Sequence, residues 1–529
     1  MNLALIILAA IILTSILLKK VSSKLGVPVL LFFLLFGIII GWTDDVSIEF
    51  SEAAGNICTA ALIFIMFYGG FGTNWKTAKP VALESGLLAT VGVAITAAAV
   101  GLFCHYALNW EWIESLIMGS VISSTDAASV FSILRSRKLG LKNNTAPLLE
   151  LESGSNDPCS YMLTVVMLSM LTGATSAGHV IWMIFAQMVF GAAGGFIIAK
   201  VATWVLSHRT RPKGFDVLFI LATALMGYAI PSAIGGNGYL SVYIIGIILG
   251  NYEFRGRKEL INFFDGITTF MEILIFFLLG YICYPENLPK VIVPALAIFA
   301  FITLVARPLA VKTILSGFKK YKPRQTALIS FVGLRGAASI VFAILTLPHG
   351  ELLNHDIFGI VFCIVLVSIA LQGSLVPGVA RMLKMTDEGS DVMKTFSDFS
   401  ESSELNFGRV SVGKGSKWAD KMVKDLELPE DMRLLMVLRG DERIVTKGDT
   451  LLIAGDEVVI CSRTYENSSS TDITEHPLSK NSRWAGKRVK DYPAGSNSFL
   501  VMIRRGNEQI IPDGNTVLMH GDILVILNT

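Results

Sequence analysis

Long apolar stretches fill the first 385 residues and constrain the fold more than any other feature. Each is bounded by polar residues, glycine or proline and is about as long as a helix that crosses a bilayer. They lie at about 3–18, 26–42, 53–73, 80–107, 112–134, 146–171, 178–207, 215–233, 237–251, 262–283, 289–316, 325–348 and 356–380. We therefore predict a polytopic α-helical membrane protein with about thirteen transmembrane helices.

Charge divides the chain into two parts. Residues 1–385 contain 45 charged residues, whereas the 144 residues of 386–529 contain 41. The pattern predicts a membrane domain at 1–385, a linker at 386–403 and a soluble tail, and it excludes an ordinary soluble enzyme. The net charge of +2 gives no reason to expect a nucleic-acid partner. The six cysteines are widely spaced, which favours free thiols over a zinc site.

The basic residues of the predicted loops indicate the orientation. Seven alternate connections carry 21 lysine and arginine residues, whereas the other six connections carry only Lys290. Because cytoplasmic loops are enriched in lysine and arginine, we expect the N-terminus outside and the tail in the cytoplasm. We expect a bacterial-type cytoplasmic membrane.

Two polar motifs interrupt the fifth and sixth spans. Residues 123–128 read SSTDAA and residues 152–158 read ESGSNDP. In a helix Ser153 and Asp157 share one face. Two carboxylates, Asp126 and Asp157, together with hydroxyl and carbonyl oxygens make a site suited to an alkali cation or a proton. A site that holds one or the other, and reorients only when loaded, exchanges the two.

Two arginines, Arg307 and Arg335, lie too deep in predicted spans to reach water. An intramembrane charge is costly, so each should have a partner. Glu152 is the expected partner of one of them, in a pair that holds helices together. Arg335 lies in the glycine-rich segment 333–339 of the twelfth span, at a depth similar to Asp126 in the fifth. This correspondence predicts inverted repeats whose discontinuous helices cross at the middle of the membrane.

Four motifs resemble those of the NhaP-type sodium or potassium/proton antiporters of the monovalent cation:proton antiporter-1 family. They are STDA at 124–127, ESGSNDP at 152–158, ARP at 306–308 and GLRGA at 333–337. The resemblance implies a homodimer with core and dimerisation domains and elevator-like alternating access. It further implies that Asp126, Ser153, Asp157 and the Thr125 carbonyl bind the ion.

The same resemblance assigns supporting roles. Asn156 would support Asp157, Glu152 would pair with Arg335 or Arg307, and the Asn-Asp pair implies electroneutral exchange. Tyr68 stands where relatives often carry an acidic residue, which puts any accessory role of that acid in doubt.

The tail repeats itself at an offset of 66 residues. Trp418-Ala419 matches Trp484-Ala485, and Gly455-Asp456 matches Gly521-Asp522. Each copy has short alternating strands, from which we expect a meander, and each resembles a TrkA-C module. The predicted modules are 404–465 and 473–529, joined by a linker at 466–472. They would either dimerise the cytoplasmic side or sense pH or a small ligand; no cofactor is expected, and a regulatory ligand or nucleotide stays unidentified.

These features predict a secondary antiporter that exchanges K⁺, or Na⁺, for H⁺ under the control of its tail. Two alternatives stay open: a ligand-gated cation channel and a non-transporting membrane sensor. An enzyme is not expected, because no nucleophile–base arrangement, phosphate-binding loop or metal set is present in the sequence.

Overall fold

The computed structural model contains two compact units, Met1–Ser402 and Ser403–Thr529. In the first unit it describes residues 9, 13–14, 30–42, 48–136, 139–173, 176–208, 215–252, 257–283 and 285–387. In the second it describes residues 405–528 except 414–415, 417, 427, 429–431, 440–441, 464–471, 479–483, 492–497, 506–507, 511 and 513. The predicted span 3–18, apart from three positions, and most of both predicted linkers lie outside the described residues.

The described part of the first unit is almost wholly helical. Its helices begin with α1 (Leu30–Gly41), α2 (Ile48–Gly72), α3 (Trp75–Ala78), α4 (Ala82–Leu87), α5 (Val93–Leu108), α6 (Trp112–Ile122), α7 (Ala127–Ser136), α8 (Thr145–Leu171) and α9 (Ala177–His208). They continue with α10 (Phe215–Ala233), α11 (Gly238–Gly250), α12 (Arg257–Ile282), α13 (Leu288–Phe301), α14 (Arg307–Leu315), α15 (Pro323–Phe331), α16 (Ala337–Ile344), α17 (Ile357–Val367) and α18 (Gly373–Met382).

Three pairs of these helices are continuous. A π-helical turn joins α4 to α5 (Leu88–Gly92), α13 to α14 (Ile302–Ala306) and α17 to α18 (Ser368–Gln372). Within the described residues, seven helical segments are long and apolar enough to cross a membrane, and α1, α6 and α11 are shorter apolar helices. The prediction of a polytopic α-helical membrane protein is confirmed, while the count of thirteen helices stays a prediction.

The helices pack as two bundles. One contains α1, α2 and α9–α12, the other α4–α8 and α13–α18, and they meet where α11 contacts α8 and where α16 contacts α2. Small residues allow close approach, as in other membrane helices. A methyl group at Gly280 of α12 would collide with the backbone of α1 at Leu34, and one at Gly246 of α11 would collide with α2 at Phe67.

Contacts between loops show which helix ends lie together. Thr73 and Trp75, after α2, hydrogen-bond with Asn251 after α11. Lys320 pairs with Glu84 at the start of α4, with Nζ 2.6 Å from Oε1. The two-residue strands β1 (Gly140–Leu141) and β2 (Thr386–Asp387) pair with each other, and Gln325 Nε2 donates to the carbonyl of Asn143. Five of the basic connections therefore lie at one end of the bundles, here named the basic end, where α8 begins.

The described part of the second unit contains two four-stranded sheets with the same topology. The strands of the first copy are β3 (Leu405–Ser411), β4 (Lys421–Met422), β5 (Met432–Arg439), β6 (Glu442–Val445), β7 (Leu451–Leu452) and β8 (Glu457–Arg463). Those of the second are β9 (Asp472–Pro477), β10 (Ser498–Arg505), β11 (Glu508–Ile510) and β12 (Ile523–Asn528). The four-stranded orders are β3-β8-β5-β6 and β9-β12-β10-β11, and all pairs are antiparallel.

The expected meander is wrong in one respect. The last strand of each copy returns to the middle of its sheet, where it pairs on both edges: β8 lies between β3 and β5, and β12 lies between β9 and β10. These last strands carry apolar residues that belong in a core, and Val458 and Leu524 are fully buried. Only the hairpins β5–β6 and β10–β11 follow the sequence order. A bulge falls at the same place in both copies, between Leu434 and Met436 and between Leu500 and Met502.

A repeated clamp fixes the turn before the last strand of each module. Arg439 donates from Nε and Nη2 to the carboxylate of Asp456, at 2.8 and 2.9 Å, and Arg505 does the same to Asp522, at 2.8 Å for both bonds. The residues before these aspartates, Gly455 and Gly521, have φ of 103° and 86°. Only glycine adopts such a φ without strain. The repeat in the sequence is thus a repeat in structure.

Candidate ion-binding site

Two interrupted helices cross in the second bundle. The helix of the fifth span stops at the end of α6 and resumes at α7, and that of the twelfth span stops at α15 and resumes at α16. The backbone N–H of Asp126, in the first break, donates to the carbonyl of Leu334 in the second, at 2.8 Å. A side chain at Gly336 would collide with Asp126. The predicted crossing of discontinuous helices is confirmed.

The first break is bonded by side chains of the predicted site. Ser153 Oγ donates to the Thr125 carbonyl at 2.7 Å, and Asn156 Nδ2 donates to Thr125 Oγ1 at 2.5 Å. Arg335 Nη1 donates to the carbonyls of Ser123 and Ser124, at 2.9 and 2.5 Å. An unwound backbone inside a membrane is tolerated only where such partners satisfy it. Arg335 thus places its charge at the C-terminal end of α6, where the helix dipole is negative.

The second break is bonded by two residues that the sequence motifs did not single out. The N–H of Arg335 donates to Ser368 Oγ at 3.0 Å, and Ser368 Oγ donates to Gln372 Oε1 at 2.9 Å. Gln372 Nε2 in turn donates to the carbonyl of Phe331. Both side chains are buried, in the π-helical turn of the last span. The signal in the sequence is weak: two uncharged polar residues four apart in an apolar stretch.

The two candidate carboxylates are held differently. Asp157 lies on α8, one turn after Ser153, and accepts a hydrogen bond from Ser124 Oγ. Asp126 caps α7: it accepts from the N–H of Ser129 at 3.2 Å and from Ser129 Oγ at 2.5 Å. An aspartate at this position stabilises the start of a helix. Asp126 therefore has a structural task beside any contact with an ion, whereas Asp157 faces Ser124 across the break.

Glu152 pairs with Arg307 rather than with Arg335. The Nη1–Oε1 distance is 2.6 Å, and the two side chains are 4% and 1% exposed. The sequence left this choice open. Arg307 begins α14 directly after a π-helical turn and lies against Gly333, where a methyl group would be 2.8 Å from its Nε. The pair joins α8 to α14, beside the second break.

Asn156 hydrogen-bonds with Thr125, and its support of Asp157 stays a prediction. Within the described residues its side chain makes two hydrogen bonds, both with Thr125, the second from the Thr125 N–H to Oδ1 at 3.4 Å. It therefore fixes the residue whose carbonyl is a predicted ion ligand. Tyr68 donates to Asp265 Oδ1 at 3.2 Å, so it bonds α2 to α12 within the other bundle.

A cavity of about 650 Å³ lies between the two bundles at the end opposite the basic end. Its polar lining includes Asn56, Thr59, Cys283, His349 and Asp356. An aromatic cluster lies one turn along α8 from Asp157, in the direction of this cavity. Its rings are Tyr161, Tyr228, Tyr239 and Phe342, with centroids 4.9 to 6.3 Å apart.

Comparison with known proteins identifies the family. Residues 7–382 match the family described as sodium/hydrogen exchanger, transmembrane. The chain belongs to this family. Residues 407–463 and 473–528 of the exchanger match the TrkA-C domain, so the prediction of two TrkA-C modules is confirmed. As a member of this family the protein is a transporter and not an enzyme.

Relatives of the exchanger extend over most of its length. The K(+)/H(+) antiporter NhaP of Alkalimonas amylolytica is 31% identical over 465 residues, covering 87% of this chain and 81% of its own. The K(+)/H(+) antiporter NhaP2 of Shewanella sp. (strain ANA-3) is 33% identical over 466 residues, covering 86% and 80%. The sodium proton antiporter MjNhaP1 from Methanocaldococcus jannaschii has the same fold, with a TM-score of 0.64 at 24% identity over 74% of this chain and 99% of its own.

Proposed function

We propose that the protein exchanges a monovalent cation, K⁺ before Na⁺, for protons across the cytoplasmic membrane. The observation that carries this proposal is the position of Asp157, whose carboxylate faces the crossing of two helix breaks. An ionisable group at this depth is costly, so its presence indicates a function. The oxygens around it belong to serine, threonine and backbone carbonyl groups, which can replace part of the hydration shell of an alkali cation.

The chemistry of the exchange follows from competition for one carboxylate. Deprotonated Asp157 attracts a cation, with the Thr125 carbonyl and Ser153 hydroxyl as further ligands. Ser153 Oγ donates its proton to that carbonyl, yet its lone pairs can still accept or ligate. Protonated Asp157 has lost the charge that holds the cation. If only loaded forms reorient, each cation moved one way is matched by a proton moved the other way.

Several finer features belong to the proposal. Asn156 and Asp157 together support electroneutral exchange, as in the family that the motifs resemble. The relatives named K(+)/H(+) antiporters favour K⁺ as the cation. The 21 basic loop residues support an outside N-terminus and a cytoplasmic tail. The two helix bundles support a division into a core and a dimerisation domain, with the protein working as a homodimer embedded in lipid.

Family membership favours exchange over the two alternatives. A ligand-gated channel would pass current without proton coupling, and a non-transporting sensor would move no ion. Electrical recording on a bilayer distinguishes the channel, and an ion-flux assay distinguishes the sensor.

The central test is Asp157→Asn, which keeps the size and most hydrogen bonds of the side chain but removes its charge. In proteoliposomes with an imposed pH gradient, we expect wild-type protein to collapse the gradient when K⁺ or Na⁺ is added, and the variant to lose at least about 99% of this activity, as for loss of a charged ligand worth about 3 kcal/mol. Ser169→Ala, on the same helix beyond the site, is the matched control. Full activity of Asp157→Asn would refute the assigned site.

We further propose that the TrkA-C modules regulate the exchanger. The tail is a compact unit of its own, beginning at Ser403, and the last described helix of the first unit, α18, ends at Met382, so a chain ending near residue 390 keeps every described helix. We expect truncation there to change the rate or the pH profile of exchange at least about twofold, roughly the effect of 0.4 kcal/mol. Proton flux in proteoliposomes, measured with both forms at several pH values, checks this. Identical profiles would contradict regulation by the tail.

A further inference from the structure

Tyr243 of α11 reaches from one helix bundle into the other. A methyl group at Gly154 of α8 would come within 2.6 Å of the Tyr243 hydroxyl oxygen, and one at Gly70 of α2 within 3.1 Å of its ring. Both glycines therefore make room for the aromatic ring. The ring is held on the α2–α11 side and its hydroxyl lies against α8, where the candidate ion ligands are.

The Tyr243 hydroxyl lies between the Asp157 site and the basic end. Gly154 precedes Asp157 by three residues, so the two lie on the same strip of α8, with Gly154 nearer the basic end. One turn earlier on α11, Tyr239 contacts Tyr161, which lies one turn beyond Asp157 in the opposite direction. Two tyrosines of α11, four residues apart, therefore bracket Asp157 along the direction of transport.

The Tyr243 hydroxyl has no hydrogen-bond partner among the described residues. Tyr243 is 2% exposed. The side chains of Ser155 and Thr73 are its polar neighbours within reach, although neither forms a hydrogen bond with it in the arrangement seen here. The carboxylates of Asp157 and Glu150 interact with it electrostatically. A buried hydroxyl without a partner costs free energy, which indicates that something with a complementary polarity takes the place beside it during function.

We propose that the Tyr243 hydroxyl oxygen is a ligand for the transported cation on the path between the basic end and Asp157. This inference rests on the proposed cation/proton exchange. The cation can bind the hydroxyl oxygen without breaking a hydrogen bond of that hydroxyl. It then passes to the Asp157 carboxylate. Because Tyr243 belongs to the other bundle, its oxygen and the α8 ligands come together only while the two bundles keep the arrangement seen here. The tyrosine therefore binds the ion as it moves between the basic end and the Asp157 site.

Tyr243→Phe tests the proposal, since it keeps the ring between the two glycines and removes only the oxygen. In proteoliposomes of full-length protein we expect the K⁺ concentration for half-maximal proton flux to rise about three- to tenfold, the usual effect of one lost hydrogen-bonding group. The maximal rate should stay within about twofold. Gly154→Ala, which displaces the ring, should shift the same quantity further in the same direction.

Tyr321→Phe is the matched control, because the Tyr321 hydroxyl is also buried without a partner but lies between α14 and α15, away from Asp157. Its cation dependence should equal that of the wild type. K⁺-dependent thermal stabilisation of the detergent-solubilised proteins gives a second readout that needs no transport, and it should weaken in Tyr243→Phe but not in Tyr321→Phe.

Two results would overturn the inference. An unchanged half-maximal K⁺ concentration in Tyr243→Phe would show that the oxygen does not ligate the ion. A fall in maximal rate without a shift in K⁺ dependence would show that the tyrosine serves packing only. Failure of the proposed function looks different: the wild-type protein itself would show no cation-dependent proton flux, and the role of Tyr243 would fall with it.

Discussion

Arginine–carboxylate pairs occur in both units of the molecule, but their surroundings differ. In the helical unit Glu152 and Arg307 join two helices through one short contact, and Arg307 Nε and Nη2 and Glu152 Oε2 have no hydrogen-bond partner among the described residues. In the tail Asp522 accepts two bonds from Arg505 and a third from the Met519 N–H at 2.7 Å, while Arg505 also donates to the Val517 carbonyl at 2.8 Å.

The difference separates two uses of a charged pair. Among the described residues no buried donor or acceptor of the tail clamp lacks a hydrogen bond, and the clamp lies within one module, so it locks a turn. The Glu152–Arg307 pair is buried with unmet donors beside the ion site, which is an expensive arrangement. It connects α8, which carries Asp157, to α14, which begins beside the second helix break. We infer that the pair keeps these helices moving together, while the clamps serve the fold of the tail.

The largest effect is expected in the helical unit. Glu152→Leu leaves Arg307 as an unpaired buried charge, so we expect a loss of about 3–5 kcal/mol of stability. Glu152→Leu combined with Arg307→Met removes both charges and should recover most of that loss. The melting temperature of detergent-solubilised full-length protein checks both variants.

Proton flux gives the functional half of this test. If the pair only stabilises the helices, the double variant should transport at close to the wild-type rate. A stable but inactive double variant would instead show that the charges themselves are required. A single variant as stable as the wild type would contradict the account of an isolated buried pair.

A smaller effect is expected in the tail. Asp522→Asn weakens a charge-assisted pair, for which a loss of about 1.5–3 kcal/mol is usual, reduced here because Arg505 is 28% exposed. Asp456→Asn is the matched change in the other module and should cost about the same, since the clamp geometry is the same. Urea unfolding of a 403–529 fragment, which has one hydrophobic cluster per module, measures both. Clearly unequal losses would contradict the equivalence of the two clamps.

The smallest expected effect is a dependence on acid in the same fragment. Burial raises the pKa of the Asp522 carboxyl, but hydrogen bonds from Arg505 and Met519 outweigh it, so the pKa lies below its ordinary value. The hydrogen bond from Arg439 likewise lowers the pKa of Asp456. A lowered folded pKa stabilises the module above the unfolded value, about 3.9, and this contribution is lost as pH falls through the folded pKa. Unfolding curves at pH 7 and near pH 3 should therefore differ less in Asp522→Asn than in the wild type.

Much of the fold was predictable because its signals are local. Apolar stretches, basic loops, the polar interruption at 123–126 and the glycine-containing interruption at 332–336 are properties of neighbouring residues, and they indicated membrane helices with two breaks. The 66-residue offset predicted two like modules, and their strands and bulges coincide at that offset. The strand order was not predictable, because pairing of the last strand in the middle of the sheet depends on contacts between distant residues.

The candidate site divides in the same way. The sequence by itself determined which acids and arginines had to be buried, because a charge in an apolar stretch is costly and stands out from its neighbours. Only the tertiary structure decided that Arg307 pairs with Glu152, that Ser368 and Gln372 bond the second break, and that Tyr243 stands beside Asp157. The physical reason is that a hydrogen bond or an ion pair depends on distances of about 3 Å between helices, and the spacing of residues along one chain does not specify how helices far apart in sequence approach each other.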